Sequence, residues 1–312
     1  MARKPRHARI EVQPSKDADD DLRIRWIKQD YWIGYTSLGE IRSRLAELIH
    51  DPIRSRPNNL AIIGKPHSGK TALLNEFCRE FNPTQNPADD QSRLSVLMVD
   101  TPATSGEGRL YHALLHKLGL SGPAREPVDG MKERLWQILD DLGVEVIALD
   151  EFNRGLSGSG LQGMLAGIRG IGNDLKISFV LTGTDVALSV LTTDDQMASR
   201  FPTVFTHLWA NDAETRQLLE TIVRRLPLRG TVNLSGDRAV ANILEFSEGI
   251  LGEIVDIVQV LAVNAVRTGT EGFGFKDITS SNLRRLGYTR PSLRSLRSQS
   301  DAEPPSFPPQ AS

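Results

Sequence analysis

The stretch Gly64-Lys65-Pro66-His67-Ser68-Gly69-Lys70-Thr71 decides the fold, because it fits the phosphate-loop pattern GxxxxGK[ST]. The apolar residues 59–63 precede it and predict a short buried strand. Apolar residues recur at helical spacing after the loop, at Ala72, Leu73, Leu74 and Phe77. Strand, glycine-rich loop and helix in this order are the context in which the pattern binds the phosphates of a nucleotide.

Each residue type in the loop has a physical role. Gly64 and Gly69 allow backbone N–H groups to turn towards a phosphate, and a helix that begins near Lys70 directs its positive end at the same anion. We expect Lys70 to reach the β and γ phosphates, and the Thr71 hydroxyl to ligate Mg²⁺. The predicted cofactors are therefore ATP and Mg²⁺, with the nucleotide bound by Gly64, Lys65, Pro66, His67, Ser68, Gly69, Lys70 and Thr71.

A second apolar segment, residues 144–149, ends in the carboxylates Asp150 and Glu151. At the carboxyl edge of a parallel sheet these two side chains would face the phosphate loop. Asp150 is then placed to hold the Mg²⁺ shell, and Glu151 to orient and polarise the water that attacks the γ phosphate. Another strand candidate, residues 94–100, separates the two motifs, and a dedicated glutamate favours water as the acceptor. We therefore predict an Mg-dependent ATPase rather than a kinase.

Two further positions are candidates for the same chemistry. The strand predicted over residues 177–182 leads into Thr182-Gly183-Thr184, where a hydroxyl would contact the γ phosphate or the attacking water; Thr184 is the first choice and Thr182 the second. Both threonines also suit an ordinary turn cap. Arg200 precedes a short strand around residues 204–208, and in a ring or filament it would reach the γ phosphate of a neighbouring subunit. A surface turn is the alternative for Arg200.

Composition limits the compartment and the partners. The 312-residue chain is 39% hydrophobic, has one cysteine and carries a net charge of −2. Since a single cysteine permits no intrachain disulfide, a reducing compartment is expected. The chain has no apolar run of about 18 residues and no secretory signal, so we expect a cytoplasmic protein without a membrane partner. The small net charge means that any DNA-binding surface must be local.

The chain is expected to fold as an α/β domain followed by a smaller helical one. Residues 1–25 carry basic and then acidic clusters and predict a mobile arm. Strands alternating with helices over residues 26–209 predict a parallel sheet covered on both faces. Residues 210–290 show three amphipathic helices and no strand. Residues 291–312 are rich in Ser and Pro and predict a disordered tail.

The loop GKPHSGKT, the strand end ALDE, the segment LTGTDVA and the segment DDQMASRF follow one another along the chain. In this order they resemble the AAA+ ATPases and, more closely, the TniB and TnsC family of transposition regulators. The segment DYWIGY, residues 30–35, adds to the narrower resemblance, which covers residues 25–290. The resemblance implies a P-loop AAA+ fold of the ASCE class: a three-layer αβα parallel sheet with a small C-terminal helical lid domain.

The resemblance also implies a function. Such proteins oligomerise as a ring or helical filament on double-stranded DNA, mark the insertion target, and recruit and stimulate a transposase, often with a TniQ-type adaptor. ATP binding favours the assembly and hydrolysis dismantles it. By the same resemblance Thr184 matches the sensor-1 position and Arg200 the finger that acts in trans, whereas residues 249–253 offer no sensor-2 arginine.

The resemblance places the DNA contacts in loops after the second and third strands. The candidates there are Thr104, Arg109 and Arg154, which would contact phosphates and hold position without reading sequence. Two other functions share the nucleotide motifs. One is a helicase, clamp loader or initiator-like ATPase. The other is a signalling NTPase that switches partner binding without DNA.

Overall fold

The computed structural model of the chain describes residues 10–50, 56–82, 93–120, 122, 126–156 and 160–294. Residues 1–9 of the expected arm and residues 295–312 of the expected tail lie outside the described residues. The chain divides into two units: one is Gly34–His207, and the other combines Met1–Ile33 with Leu208–Ser312.

Helices and strands are numbered here in chain order. The α-helices are α1 (Asp20–Ile27), α2 (Gly39–His50), α3 (Lys70–Phe81), α4 (Glu107–Lys117), α5 (Val128–Asp141), α6 (Leu161–Leu175), α7 (Asp185–Thr193), α8 (Asp195–Ala198), α9 (Ala213–Arg224), α10 (Asp237–Ser247), α11 (Leu251–Thr268) and α12 (Ser280–Arg285). The strands are β1 (Leu60–Ile63), β2 (Val96–Asp100), β3 (Val146–Asp150), β4 (Ser178–Gly183), β5 (Thr203–Phe205), β6 (Val232–Asn233) and β7 (Phe273–Gly274). Short 3-10 helices occupy Thr36–Leu38, Phe152–Gly155 and Phe275–Asp277.

The larger unit is built on a five-stranded parallel sheet with the order β2-β3-β4-β1-β5. Strands β1, β3 and β4 are buried at every position, because the sheet is covered on both faces. In β1, for example, the neighbours Ile62 and Ile63 point to opposite faces, yet both are buried. The predicted α/β class and parallel sheet are confirmed.

Helices α4, α5 and α6 form much of the apolar layer against the sheet. They contribute buried residues at helical spacing, such as Leu110 and Leu114, Leu135 and Leu139, and Met164 and Ile168. On α3, which follows the phosphate loop, the predicted apolar face is buried at Leu73, Leu74 and Phe77. This packing fixes the start of α3, and with it the loop, against the sheet.

The smaller unit is mainly helical. Its longest helix, α11, buries Ile254, Ile257, Val258, Leu261 and Ala265, the residues predicted to form its apolar stripe. The unit also contains β6 and β7, which pair in parallel over two residues each. No strand was predicted here, because two residues are too short to show a period. Among the described residues, no single helix is long and apolar enough to cross a membrane, although α10 and α11 pass that test together across a bend of 115°.

The expected mobile arm is wrong for residues 20–25. They belong to α1, where the Arg23 side chain is fully buried and donates two hydrogen bonds to Glu271, of 2.8 and 2.7 Å. Trp26 is also buried, and its indole N–H donates to the Arg225 carbonyl at 2.8 Å. These contacts group α1 with the helical unit. The boundary of the sheet unit therefore lies at Gly34 and not at the predicted residue 26.

Candidate nucleotide site

The phosphate loop connects the carboxyl end of β1 to the first turn of α3. Gly69 precedes the helix with a φ of 89°, a left-handed conformation that favours glycine. Gly64 is required for another reason, since a Cβ atom there would lie 1.8 Å from the Thr206 hydroxyl oxygen. The two glycines were expected to share one role; Gly69 supplies the turn, and Gly64 allows close packing against the residue that follows β5.

Lys70 is folded back onto the loop. Its side-chain nitrogen donates to the carbonyl oxygens of Gly64 and Lys65, at 2.9 and 2.8 Å, and to the Ser68 hydroxyl at 3.4 Å. Burial lowers the pKa of Lys70, and the negative charges of Glu151 and Asp150 oppose that effect. The ammonium group is therefore held inside the loop, facing the two carboxylates that were predicted to share its site.

Asp150 is the centre of a hydrogen-bond network at the end of β3. The Thr71 hydroxyl donates to its Oδ2 atom at 2.6 Å, and the Thr182 hydroxyl donates to its Oδ1 atom. Asp150 is only 1% exposed, and among the described residues no cation lies within ion-pair distance of it. A buried carboxylate beside a hydroxyl is the oxygen-rich donor set that Mg²⁺ prefers. Thr71 and Asp150 therefore fit the metal role predicted for them.

Glu151 follows Asp150 in a left-handed conformation, with a φ of 53°. Such backbone is uncommon for residues other than glycine and is often found at functional sites. The Glu151 N–H donates to Asp150 Oδ1 at 3.0 Å and to the Thr182 hydroxyl at 3.2 Å. The turn therefore gives adjacent carboxylates different positions: Asp150 stays in the network with Thr71, and Glu151 leaves the strand.

The two candidate threonines have different surroundings. Thr182 is fully buried in β4 and contacts both Asp150 and the backbone of Glu151. Thr184 is partly exposed and occupies the N-cap position of α7, where its side chain makes no capping hydrogen bond. The structure thus brings the second choice, Thr182, into the network and leaves the first choice, Thr184, outside it.

One neighbour of Glu151 was missed in the sequence. The Asn153 side-chain amide donates to Glu151 Oε2 at 3.2 Å, and its Oδ1 atom is buried without a hydrogen-bond partner among the described residues. Asn153 lies in the 3-10 helix Phe152–Gly155 directly after the left-handed residue. The only signal for Asn153 in the sequence was its position two residues after Glu151. That position indicates a contact between the two side chains only when the left-handed turn at Glu151 is known.

Arg200 lies at the opposite end of the sheet strands, their amino end. The Asn59 amide, just before β1, donates to the Arg200 carbonyl at 3.2 Å, and the Ala61 N–H donates to the Pro202 carbonyl at 2.9 Å. The phosphate loop leaves the other end of β1, four residues along. At about 3.3 Å per residue the strand separates the two by roughly 13 Å. Arg200 is therefore not part of the nucleotide site of its own chain.

The three candidate DNA contacts are exposed on neighbouring segments that follow β2 and β3. Thr104 precedes α4, Arg109 lies in the first turns of α4, and Arg154 lies in the 3-10 helix after β3. Among the described residues neither arginine forms an ion pair. A Cβ atom on Gly160 would lie 2.2 Å from the Ser105 carbonyl oxygen, so glycine allows these two segments to pack closely.

The fold and the phosphate loop together define the class of protein. In structure the chain is similar to the Aeropyrum pernix ORC2 protein in its ADPNP–ADP complexes, with a TM-score of 0.63 and 16% identity over 83% of this chain and 71% of that one. It is also similar to the Aeropyrum pernix ORC1 protein in complex with DNA (TM-score 0.59, 20% identity, 78% of this chain and 64% of that one). The Thermotoga maritima RuvB Holliday junction branch migration motor gives a TM-score of 0.51 with 13% identity over 88% of this chain and 79% of that one. The chain has the fold of the AAA+ ATPases.

Sequence comparison narrows the class. A family model described as bacterial TniB protein matches residues 23–211, more than half of the chain. The chain belongs to the TniB family. A comparison with curated proteins gives no match. The resemblance stated from the phosphate loop, the carboxylate pair and the segment around Arg200 is therefore confirmed at the level of the family.

Proposed function

We propose that this protein is an ATP-dependent regulator of DNA transposition. It oligomerises on duplex DNA, marks the target and recruits or stimulates a transposase, with a TniQ-type adaptor as a further partner. ATP hydrolysis then takes the assembly apart. Membership of the TniB family supports the process, and the similarity to an ORC1 protein in complex with DNA supports a nucleic-acid partner. The observation that carries the proposal is the network of Thr71, Asp150, Glu151 and Thr182 facing Lys70.

The chemistry follows from the positions of these side chains. When a nucleotide binds, the Lys70 ammonium would leave the loop carbonyls and contact the β and γ phosphates. Thr71 and Asp150 would hold Mg²⁺, which would neutralise phosphate charge. Glu151 takes a proton from the attacking water, and Asn153 orients its carboxylate through the hydrogen bond at 3.2 Å. Thr182 acts as the sensing hydroxyl in place of Thr184, because it touches both Asp150 and the Glu151 backbone.

The proposed assembly follows from the distance between the amino and carboxyl ends of the sheet strands. Arg200 lies a strand length away from the phosphate loop of its own chain. Its guanidinium can therefore contact a γ phosphate only when that nucleotide is bound to a second copy of the chain. Hydrolysis then depends on the assembly, because an arginine supplied by the neighbouring copy stabilises the charge of the transition state. The exposed side chains of Thr104, Arg109 and Arg154 are the proposed contacts to DNA phosphates, with the duplex holding successive copies in register.

The first prediction concerns Glu151. In E151Q the amide cannot accept the proton from water, so turnover should fall by on the order of 1,000-fold while ATP affinity stays near the wild-type value. Because ATP then persists, the assembly on duplex DNA should also persist. Steady-state turnover, nucleotide binding and sedimentation with and without a DNA duplex measure these effects.

The matched control is E145Q, which changes an exposed glutamate just before the same strand. It should behave as the wild type does. Loss of ATP binding in E151Q would show that Glu151 is a structural residue and would contradict the proposed role. An assembly of E151Q that forms equally well without DNA would favour the signalling NTPase.

An initiator-like ATPase is the second candidate, because the structural similarity to ORC proteins favours it. The two functions differ in the protein that is delivered to DNA. Co-purification of the ATP-bound E151Q assembly with a transposase encoded beside it would support transposition. Retention of a replicative helicase and not the transposase would support the initiator.

A further inference from the structure

A cleft of about 240 Å³ lies in the sheet unit at the amino edge of β1. Its lining includes three arginines, Arg44, Arg56 and Arg200, and one carboxylate, Glu47. Arg200 reaches the cleft from the segment before β5, and Arg56 from the segment before β1. The nucleotide site occupies the opposite edge of the same sheet, so this cleft is a separate surface.

Two of these arginines donate hydrogen bonds to uncharged side chains. Arg56 donates to the Ser199 hydroxyl at 2.9 Å, and Arg200 donates to the Asn173 carboxamide oxygen at 2.9 Å. Among the described residues neither guanidinium forms an ion pair with a carboxylate, whereas Arg44 pairs with Glu40 at 3.2 Å. The Arg200 Nε atom is also buried without a hydrogen-bond partner in the described part of the chain. The cleft therefore offers donors and positive charge in excess.

Burial and neighbouring positive charges both affect the pKa of Arg200. Burial lowers the pKa of its guanidinium, and the positive charges of Arg56 and Arg169 lower it further. Arg169 has a partner of its own, Asp194, at 3.4 Å. An anion that enters the cleft would relieve the repulsion between Arg56 and Arg200, and planar guanidinium groups match the oxygen geometry of phosphate.

We propose that Arg56 is a second guanidinium in this cleft and acts beside Arg200 on the terminal phosphates of a nucleotide bound to a second copy of the chain. The inference rests on the proposed function, because it needs an assembly of nucleotide-bound copies. Asn59 is the positioning residue: its amide donates to the Arg200 carbonyl, and its carboxamide oxygen accepts from the Phe179 N–H at 2.8 Å. It thereby ties the arginine segment to β4.

The variant R56A tests the role of the second guanidinium. In the assembled protein R56A should lower turnover by on the order of 100-fold, the usual effect of removing one donor to a developing charge. ATP affinity of isolated subunits should stay unchanged, since Arg56 does not touch the nucleotide of its own chain. R56K keeps the charge without the planar fork, and its turnover should fall less than that of R56A.

The control is R42A. Arg42 lies on α2, outside the cleft, and forms an exposed pair with Glu80, so the turnover of R42A should equal that of the wild type.

Mixing variants tests whether the site is shared between copies. E151Q keeps both arginines, so adding it to R56A should restore turnover at the R56A nucleotide sites. Adding R200A to R56A should not, because every interface then lacks one of the two arginines. Restoration in the second mixture would overturn the proposal, since it would place Arg56 and Arg200 at different sites.

Two further results separate the possible failures. If the wild type and R42A hydrolyse ATP and R200A does not, but R56A turns over normally, the present inference is wrong and the proposed function stands. If no assembly of the wild type hydrolyses ATP, the proposed function itself fails.

Tripolyphosphate is the probe for a free anion, and its binding is measured on isolated subunits that carry K70A. If adding R56A weakens this binding, but R56A alone leaves the turnover of the assembly unchanged, the cleft binds a phosphate from solution and the proposal is overturned. A loss of folding in both R56A and R56K would likewise overturn it in favour of a structural role.

Discussion

At the end of β3, one backbone conformation gives two adjacent carboxylates different surroundings. Asp150 continues the strand and accepts hydrogen bonds from Thr71 and Thr182. Glu151 turns away with a φ of 53° and meets Asn153. Left-handed backbone at a residue other than glycine costs on the order of 1–3 kcal/mol, and such costs are concentrated at functional sites. The turn gives Asp150 and Glu151 the different positions that their proposed roles, as metal ligand and general base, require.

A prediction at this scale concerns the threonines. T182V removes the hydroxyl shared by Asp150 and the Glu151 backbone and should lower turnover by on the order of 100-fold, because the Asp150 carboxylate and the Glu151 turn each lose a positioning contact. T184V should have little effect, since its side chain is outside the network. Steady-state turnover, with nucleotide binding measured separately, distinguishes them. T182S keeps the hydroxyl and is the control; a large loss in T184V with normal T182V would reverse the assignment.

The sequence predicted which residues would meet at this site, and it predicted less of how they meet. The loop pattern and the strand end ALDE identified Lys70, Thr71, Asp150 and Glu151, and the structure places them close together. The left-handed turn at Glu151 and the contact to Asn153 depend on a backbone torsion that no local pattern in the chain encodes. The roles of these residues stay predictions until they are tested.

At the scale of elements, α1 shows how a charged segment can be structural. Its Arg23 is fully buried against Glu271, which is 13% exposed, and the pair lies within the helical unit. A run of acidic and basic residues predicted a mobile arm because charge is normally solvated. Here Glu271, Asp20 and the Pro227 carbonyl accept hydrogen bonds from the two terminal nitrogens of the guanidinium. Long-range pairing of this kind cannot be read from spacing.

R23A should therefore destabilise the helical unit by about 3 kcal/mol, the lower end of the range for breaking a buried pair, because the Glu271 carboxylate keeps only its contacts with Arg229. R42A removes an exposed pair and should cost less than about 1 kcal/mol. Urea denaturation combined with hydrogen exchange of amides in α1 and α11 measures both. Equal effects in the two variants would mean that α1 is not anchored by this pair.

The same pair has a pH signature. The hydrogen bond from Arg23 lowers the pKa of Glu271 below its ordinary value of 4.5. A carboxyl group with a lowered folded-state pKa adds stability above its ordinary value and loses it as the pH falls through the lowered one. Acid should therefore reduce the stability of the wild type more steeply below pH 4.5 than that of R23A. Parallel slopes would contradict this contribution.

The strands show the same division between what could and could not be predicted. Residues 94–100, 144–149 and 177–182 were predicted as strands from their apolar runs, and β2, β3 and β4 overlap them closely. Strands β6 and β7 were missed, because their two-residue pairing is set by the packing of the chain around them. Buried central strands are thus readable from composition, and short tertiary pairings are not.

In the whole molecule, the polarity of the parallel sheet separates two sets of candidate residues. Lys70, Asp150 and Glu151 lie at its carboxyl edge, and Arg56 and Arg200 lie at its amino edge. Every strand in the sheet runs in the same direction, so no single copy can bring these groups together. Under the proposed function, this separation would couple nucleotide hydrolysis to contact between copies, and DNA would provide the surface on which that contact occurs.

The proposed function requires that the loop and the carboxylate pair bind magnesium ATP. Titration calorimetry of the full chain with MgATP, beside K70A and R42A, tests it most directly. We predict binding to the wild type and R42A, and a loss of at least about tenfold in K70A, since a charge-assisted hydrogen bond contributes about 1.5–3 kcal/mol and tenfold corresponds to about 1.4 kcal/mol. A folded wild-type protein that binds no ATP, or a K70A that binds it equally well, would contradict the proposed function.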